Sequence, residues 1–247
     1  MKLQAEFALT QRKLIAIDEE LKNAPSGRLV KKGDKYYHAV NRIEAGITNR
    51  SEFIARLARK KYLLTLRKML EMGTTMSALK SSTMINCEPR ELISGLSSTF
   101  QNVPYEFFFH PTVVPWQREE YIQNSYRIEE KKYESNQGVL VRSKSELIIA
   151  NLLEDFVVPY RYDAEFTIKG KKMYPDFIIK KPFTGETVIW EHFGALHLEG
   201  YERRMNEKMQ AYLTQGLVPF ATLIYTFEFD LTKTRLEKLI KELVLSY

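Results

Sequence analysis

Leu3, Phe7, Thr10, Leu14, Ile17 and Leu21, apolar apart from Thr10, alternate spacings of four and three, the seam pattern of a coiled coil. The period predicts a first helix that ends near residues 23–27, where Pro25 and Gly27 interrupt it. Such a helix can pair with a second copy in a homodimer or dock on the next helix of its own chain, and docking is the preferred expectation. The stretch RLVKKGDKYYHAV then alternates like a β-hairpin around Lys32, Gly33 and Asp34. Ser51 opens a long helix, SEFIARLARKKYLLTLRKMLEMG, expected to close at Gly73, with shorter helices following through residue 99.

Residues 100–137 change character, because Pro104, Pro111 and Pro115 stand among the aromatics of VPYEFFFHP and VPWQREEY. They are too apolar for a disordered linker and read as a connector packed against both halves. From residue 138 onward the pattern is VRSKSELIIANLLEDF, a helix starting at Ser143, followed by three strand candidates, PYRYDAEFTI, KMYPDFII and TVIWEHFG. Pro182 and Gly185 turn the second strand into the third. The expected class is α+β in three stretches: a helical module over 1–99, the connector over 100–137, and a mixed domain over 138–247.

The chain has 247 residues, 44% hydrophobic and 28% charged, enough to bury a sizeable core in one large or two small domains. It contains no apolar run of the roughly 18 residues that a spanning helix needs, and its start lacks the apolar centre of a signal peptide. A cytoplasmic protein with no membrane partner is the default expectation. The single Cys87 excludes an internal disulfide and a thiolate zinc cluster. The net charge of +6 is uneven: residues 1–72 carry 16 Lys and Arg against 8 Asp and Glu, whereas residues 138–247 carry 15 of each. A basic N-terminal half suits a polyanion, since each neutralised phosphate releases counterions, although a merely solvated basic helix has the same composition.

Candidate chemistry sits in the C-terminal half. Ser143 and Glu146 have capping-box spacing, yet Glu146 also shares the stripe of Ile149, Ala150 and Leu153 that faces the core. Asp176 heads one buried strand and Glu191 lies near the end of the next. Alternation sends Ile189, Glu191 and Phe193 to one face of that strand, and Val188, Trp190 and His192 to the other. The two carboxylates therefore meet where the strands diverge, an arrangement that suits a divalent cation. On the following helix Tyr201, Met205, Lys208 and Tyr212 form a stripe facing the sheet, with Lys208 in its middle.

A helical acid, Pro175-Asp176 on one strand and Glu191-His192-Phe193 on the next resemble the PD-(D/E)XK nuclease superfamily over residues 138–247. WEHFG followed by YERRMNEKMQAYLTQG is especially similar to the small modules found alone or joined to UvrD-like helicases. The resemblance implies a restriction-endonuclease-like αβββαβ core and a Mg²⁺- or Mn²⁺-dependent nuclease acting on DNA. Asp176, Glu191 and the His192 carbonyl would hold the metal, with Glu146 reaching it directly or through water. The family lysine is missing, because its position is Phe193; Lys208 is the expected replacement, and Lys208 with Tyr212 resembles the helix motif of RecB-like nucleases. The expected catalytic set is thus Glu146, Asp176, Glu191 and Lys208. Candidate nucleic-acid contacts are Arg56, Arg59, Lys60, Lys61, Arg67 and Lys68 on the basic helix, together with Lys144 and Tyr212. Glu165 is a further acid, expected at a surface position. A transition-metal centre on Glu191, His192 and His197 is the rival arrangement, opposed by strand alternation. A catalytically silent nuclease fold that binds DNA or assembles with partners is the alternative that Phe193 supports.

Overall fold

The computed structural model describes residues 2–78 and 88–247, with side chains described over 7–73 and 88–247. Cys87 and part of the helical stretch expected after Gly73 lie outside the described residues. The chain is α+β and divides into two compact units, residues 1–110 with Tyr247 and residues 111–246. The aromatic stretch 100–137 is split between them.

In the first unit α1 (Lys2–Lys22) packs on α2 (Ser51–Ala78). Along the heptad seam Ile17 is fully buried, Leu14 and Leu21 are half-buried, and Phe7 stays exposed. The expected hairpin is β1 (Arg28–Lys32) and β2 (Lys35–Val40), but a third strand, β3 (Ile43–Gly46), extends it. The pattern hides this second turn, because Asn41 and Arg42 both take positive φ without a glycine to mark it. Helix α2 continues through Gly73 to Ala78 instead of stopping there. An interior glycine costs only about 1 kcal/mol, which a long packed helix absorbs. The short α3 (Pro89–Ser94) follows in the same unit.

Packing reassigns part of the basic helix. Arg59 is 4% exposed, grips Glu20 through two contacts of 2.8 Å and donates to the Phe108 carbonyl at 2.9 Å. It belongs to the interior and cannot meet a polyanion. Lys60 is spent on the carbonyls of Pro25 and Gly27, and Arg67 pairs with Asp18 and Glu71. Arg56, Lys61 and Lys68 remain exposed, although Arg56 also donates to the Asn23 carbonyl. Arg59→Ala is expected to destabilise this unit by about 3 kcal/mol, because Glu20 and the Phe108 carbonyl lose their donor together. Urea unfolding would measure it; a loss below about 0.5 kcal/mol would mean the pair behaves as a surface ion pair.

The second unit begins with α4 (Val113–Arg118) and the small ladder of β4 (Tyr133–Glu134) and β5 (Leu140–Val141). Helix α5 (Lys144–Asp155) follows, then β6 (Tyr160–Tyr162), β7 (Phe166–Ile168), β8 (Lys171–Met173), β9 (Phe177–Lys180) and β10 (Thr187–Phe193). Helix α6 (Tyr201–Thr214), β11 (Leu223–Phe227) and α7 (Lys233–Leu239) close the unit. The main sheet has the order β11-β10-β9-β6, with β6, β9 and β10 antiparallel in turn and β11 parallel to β10. Two of the expected strands are each broken in two. Asp163 at positive φ ends β6, and the two-residue turn of Lys169 and Gly170, both at positive φ, folds β7 and β8 into a hairpin of their own.

One face of the main sheet packs Ile178, Ile189 and Leu223 against Tyr212 and Met209 of α6. The register Tyr162↔Phe177↔Trp190 places those three side chains on the opposite face, where Glu146 of α5 meets Tyr162. Alternation along β10 therefore sorts its polar side chains between two different helical environments. Among the described residues no helix is long and apolar enough to cross a membrane.

Candidate functional site

Strand β9 leaves β10 after the Phe177↔Trp190 pair, and one further step of that register sets Asp176 opposite Glu191 on the α6 face. The free edge of β10 is used at once: the His192 N–H donates to Asp176 Oδ2 at 2.7 Å. Asp163 fixes the other side of the turn, donating its N–H to the Asp176 carbonyl at 2.9 Å. The Asp163 carboxylate is itself clamped between Lys131 at 3.1 Å and Arg142 at 2.6 Å. Asp176 is held from two strands, with its carboxylate only half-buried.

Glu191 is 1% exposed and takes two donors from α6. Lys208 Nζ lies 2.7 Å from Oε2, and the Tyr212 hydroxyl donates to Oε1. Lys208 also reaches the Tyr174 carbonyl at 3.4 Å. The helix stripe and the strand alternation meet at this carboxylate. Burial, then the charge of Asp176, push the Glu191 carboxyl up to about 8, against the opposing pull of Lys208 and Tyr212. Burial disfavours the Lys208 ammonium, but the carboxylates of Glu191 and Asp176 outweigh it and raise its pKa, so it stays charged. Burial and the Glu191 charge raise the Tyr212 phenol and keep it a donor.

Glu146 forms the capping box with Ser143, accepting at Oε2 from the N–H groups of Arg142 and Ser143 and from the Tyr162 hydroxyl at 2.9–3.0 Å. Burial and the Asp176 charge raise its pKa, so Asp176 is electrostatically coupled to an acid on each side. Among the described residues no three His, Cys, Asp or Glu side chains gather into a group that could hold a metal. The donor chemistry nevertheless fits a hard cation: Asp176 and Glu191 are oxygen donors on adjacent strands, and Mg²⁺ is commonly held by one or two carboxylates with water and substrate oxygens. In an extended strand the His192 carbonyl points to the same edge as its N–H, which is the Asp176 edge.

Other candidates fall elsewhere. Tyr212 is fully buried in the α6 core, so it orients Glu191 and offers no face to nucleic acid. Lys144 is exposed on α5. Glu165 pairs with Lys172 at 3.0 Å and accepts from Tyr174. His197 is exposed, and the His192 ring turns to the other face, so Glu191, His192 and His197 form no cluster. Phe193 shares the Glu191 face but is buried against Phe227. A chain of contacts on the opposite face was not anticipated: Trp190 Nε1 donates to Thr226 Oγ1 at 3.0 Å, Thr226 meets His192 Nδ1 at 3.1 Å, and His192 Nε2 meets Glu228 at 3.2 Å. A threonine in the apolar run LIYTF was the visible signal.

The raised carboxyls make stability depend on pH. A group whose folded pKa exceeds its unfolded value contributes stability below the unfolded pKa and loses it as pH rises through the folded one. Metal-free protein is therefore expected to lose stability between roughly pH 4.5 and pH 8, with a slope up to about 1.4 kcal/mol per pH unit for one proton. Glu191→Gln should flatten most of that slope in denaturant titrations. An unchanged slope would place the titrating group elsewhere.

No family model matches the chain, and no solved structure matches it. The chain is similar to a protein of Methanocaldococcus jannaschii named "Uncharacterized protein MJ1519", 31% identical over 89 residues. The alignment covers 36% of this chain and 7% of that protein.

Proposed function

We propose that the chain is a metal-dependent nuclease of the PD-(D/E)XK type that hydrolyses phosphodiester bonds in DNA. The observation that carries this reading is Lys208 at 2.7 Å from buried Glu191, with Asp176 on the adjacent strand: two acids and one cation brought together from β9, β10 and α6. The sheet order β11-β10-β9-β6, with α5 and α6 packed on opposite faces, supports a restriction-endonuclease-like core.

Asp176 and Glu191, with the His192 carbonyl, would hold Mg²⁺ or Mn²⁺. The chemistry such an ion would supply there is a water of lowered pKa and a polarised phosphate. Lys208 keeps an ammonium beside the acids and can neutralise charge that builds on the scissile phosphate oxygens. Tyr212 fixes the Glu191 rotamer from the core side. Asp176, tied to the His192 N–H and to Asp163, keeps the free strand edge in place. Glu146 stays on α5 as a capped, half-buried acid, electrostatically coupled to Asp176.

A silent nuclease fold is the second reading, favoured by one observation: both Glu191 oxygens are already satisfied by protein donors. Incubation of wild type with plasmid, linear and single-stranded DNA in Mg²⁺ or Mn²⁺ separates the two. Cleavage that EDTA stops supports the enzyme. No cleavage of any substrate by folded protein overturns it.

A further inference from the structure

Strand β11 is an edge of the main sheet, and its α6-side face carries an unbroken line of aromatic rings. Tyr225 and Phe227 alternate along the strand, and Phe229 continues the same face just beyond it. Phe227 stacks on Phe229 with centroids 5.4 Å apart and planes 20° apart, Tyr225 lies 5.9 Å from Phe227, and Phe220 lies 4.9 Å from Tyr225. The line runs into the candidate site, because Tyr225 pairs with Glu191 and Phe227 pairs with Phe193 in the parallel ladder. Its two ends are open to solvent, Phe229 being 73% exposed and Phe220 45%.

Phe220 holds a positive φ of 56°, a conformation that a bulky side chain rarely adopts, and its N–H is tied to the Leu223 carbonyl at 2.8 Å. The alternate positions, Thr226 and Glu228, turn to the opposite face and engage His192, so the Glu228 carboxylate is directed away from the rings. On the ring side the cations come from α6, where Lys208 reaches Glu191 and Arg204 lies exposed one turn away over the Tyr201 ring.

We propose that this stripe is a stacking platform for the unpaired bases of single-stranded DNA, which it leads to the Asp176–Glu191 edge. The identity of the polymer rests on the nuclease reading above; the platform itself rests on the rings. Every base offers a π-face, so a row of exposed rings holds a strand without reading its sequence. Arg204, exposed on the neighbouring helix, suits the backbone, and the continuity with Glu191 brings a phosphate to the acids. A paired duplex hides its base faces and gains nothing from the rings.

The test uses the full chain carrying Asp176→Asn, in EDTA, so that binding is read without cleavage. Fluorescence anisotropy with oligo(dT) of about 20 nucleotides and with a duplex of the same length compares it with versions that add Phe229→Ala or Phe220→Ala. Each alanine is expected to weaken oligo(dT) binding by about 5- to 100-fold and to leave duplex binding within about twofold, while Phe229→Trp retains the single-strand affinity. Unchanged oligo(dT) binding in both alanine variants overturns the platform, as does an equal loss on the duplex. A dimer in sedimentation velocity that Phe229→Ala dissociates, with oligo(dT) binding intact, assigns the edge to a second copy and overturns it too. If wild type cleaves DNA and the alanine variants bind oligo(dT) normally, the platform fails and the nuclease stands. If wild type neither binds nor cleaves any DNA, both fail.

Discussion

Asp176→Asn will abolish Mg²⁺-dependent cleavage and leave the protein folded. The amide oxygen can still accept the His192 N–H that now lies 2.7 Å from Asp176 Oδ2, so the strand edge keeps its tie. What disappears is the charge that couples to both Glu146 and Glu191. Metal-free variant protein should be as stable as wild type or more so, because buried Glu191 and half-buried Glu146 lose a repulsive neighbour. With one of two acidic oxygen donors gone, the affinity for a hard cation falls and cleavage should drop by at least about 10² to 10³, the range seen when a single electrostatic group is removed from an active site. Glu191→Gln is the matched variant, since alanine there would leave Lys208 and Tyr212 facing a cavity. Single-turnover cleavage of plasmid, with thermal unfolding as the control, reads both effects. If folded Asp176→Asn cleaves at the wild-type rate, the acids are structural and the site lies elsewhere.

Lys208→Met will slow the chemical step by about 10² to 10³ while DNA affinity changes only a few-fold. Methionine keeps most of the apolar stem, so what it removes is the ammonium. The loss should appear in the cleavage rate at saturating enzyme, because the ammonium sits beside buried Glu191 and its side chain is only 34% exposed, a poor position for general grip on a polymer. Lys208→Arg retains the charge and should recover part of the rate. The alternative is that Lys208 serves only to neutralise a buried carboxylate. Lys208→Met would then lower stability by a few kcal/mol and leave the cleavage rate of the folded fraction untouched. Normal single-turnover cleavage by Lys208→Met would remove it from the chemistry.

The elements that repeat on a short period were legible in the chain. Heptad spacing marked α1, a capping box marked the start of α5, and two-residue alternation along β10 sorted Glu191 from His192 before any partner was known. The i, i+4, i+7 spacing on α6 likewise aimed Lys208 and Tyr212 at the sheet. These are local rules: an element's own geometry decides which side chains share a face, so a sequence shows the face without showing what covers it.

What covers each face was decided by contacts between residues far apart in the chain. Arg59 reads like its basic neighbours, and only the approach of Glu20 from α1 and Phe108 from a later turn buries it. Tyr212 reads as equally ready to meet a base or a carboxylate, until the register of β10 puts Glu191 under its hydroxyl. The turns that the pattern did not show use Asp163, Asn41 and Arg42 at positive φ, residues that carry no glycine signal and hold that backbone only within the folded surroundings. The sequence by itself determined α1, α5 and α6, the faces of β10 and the two acids at the strand ends, because those follow from backbone period. Tertiary structure alone decided which charges are spent inside the fold and which remain for chemistry, because burial and pairing depend on partners that no local window contains.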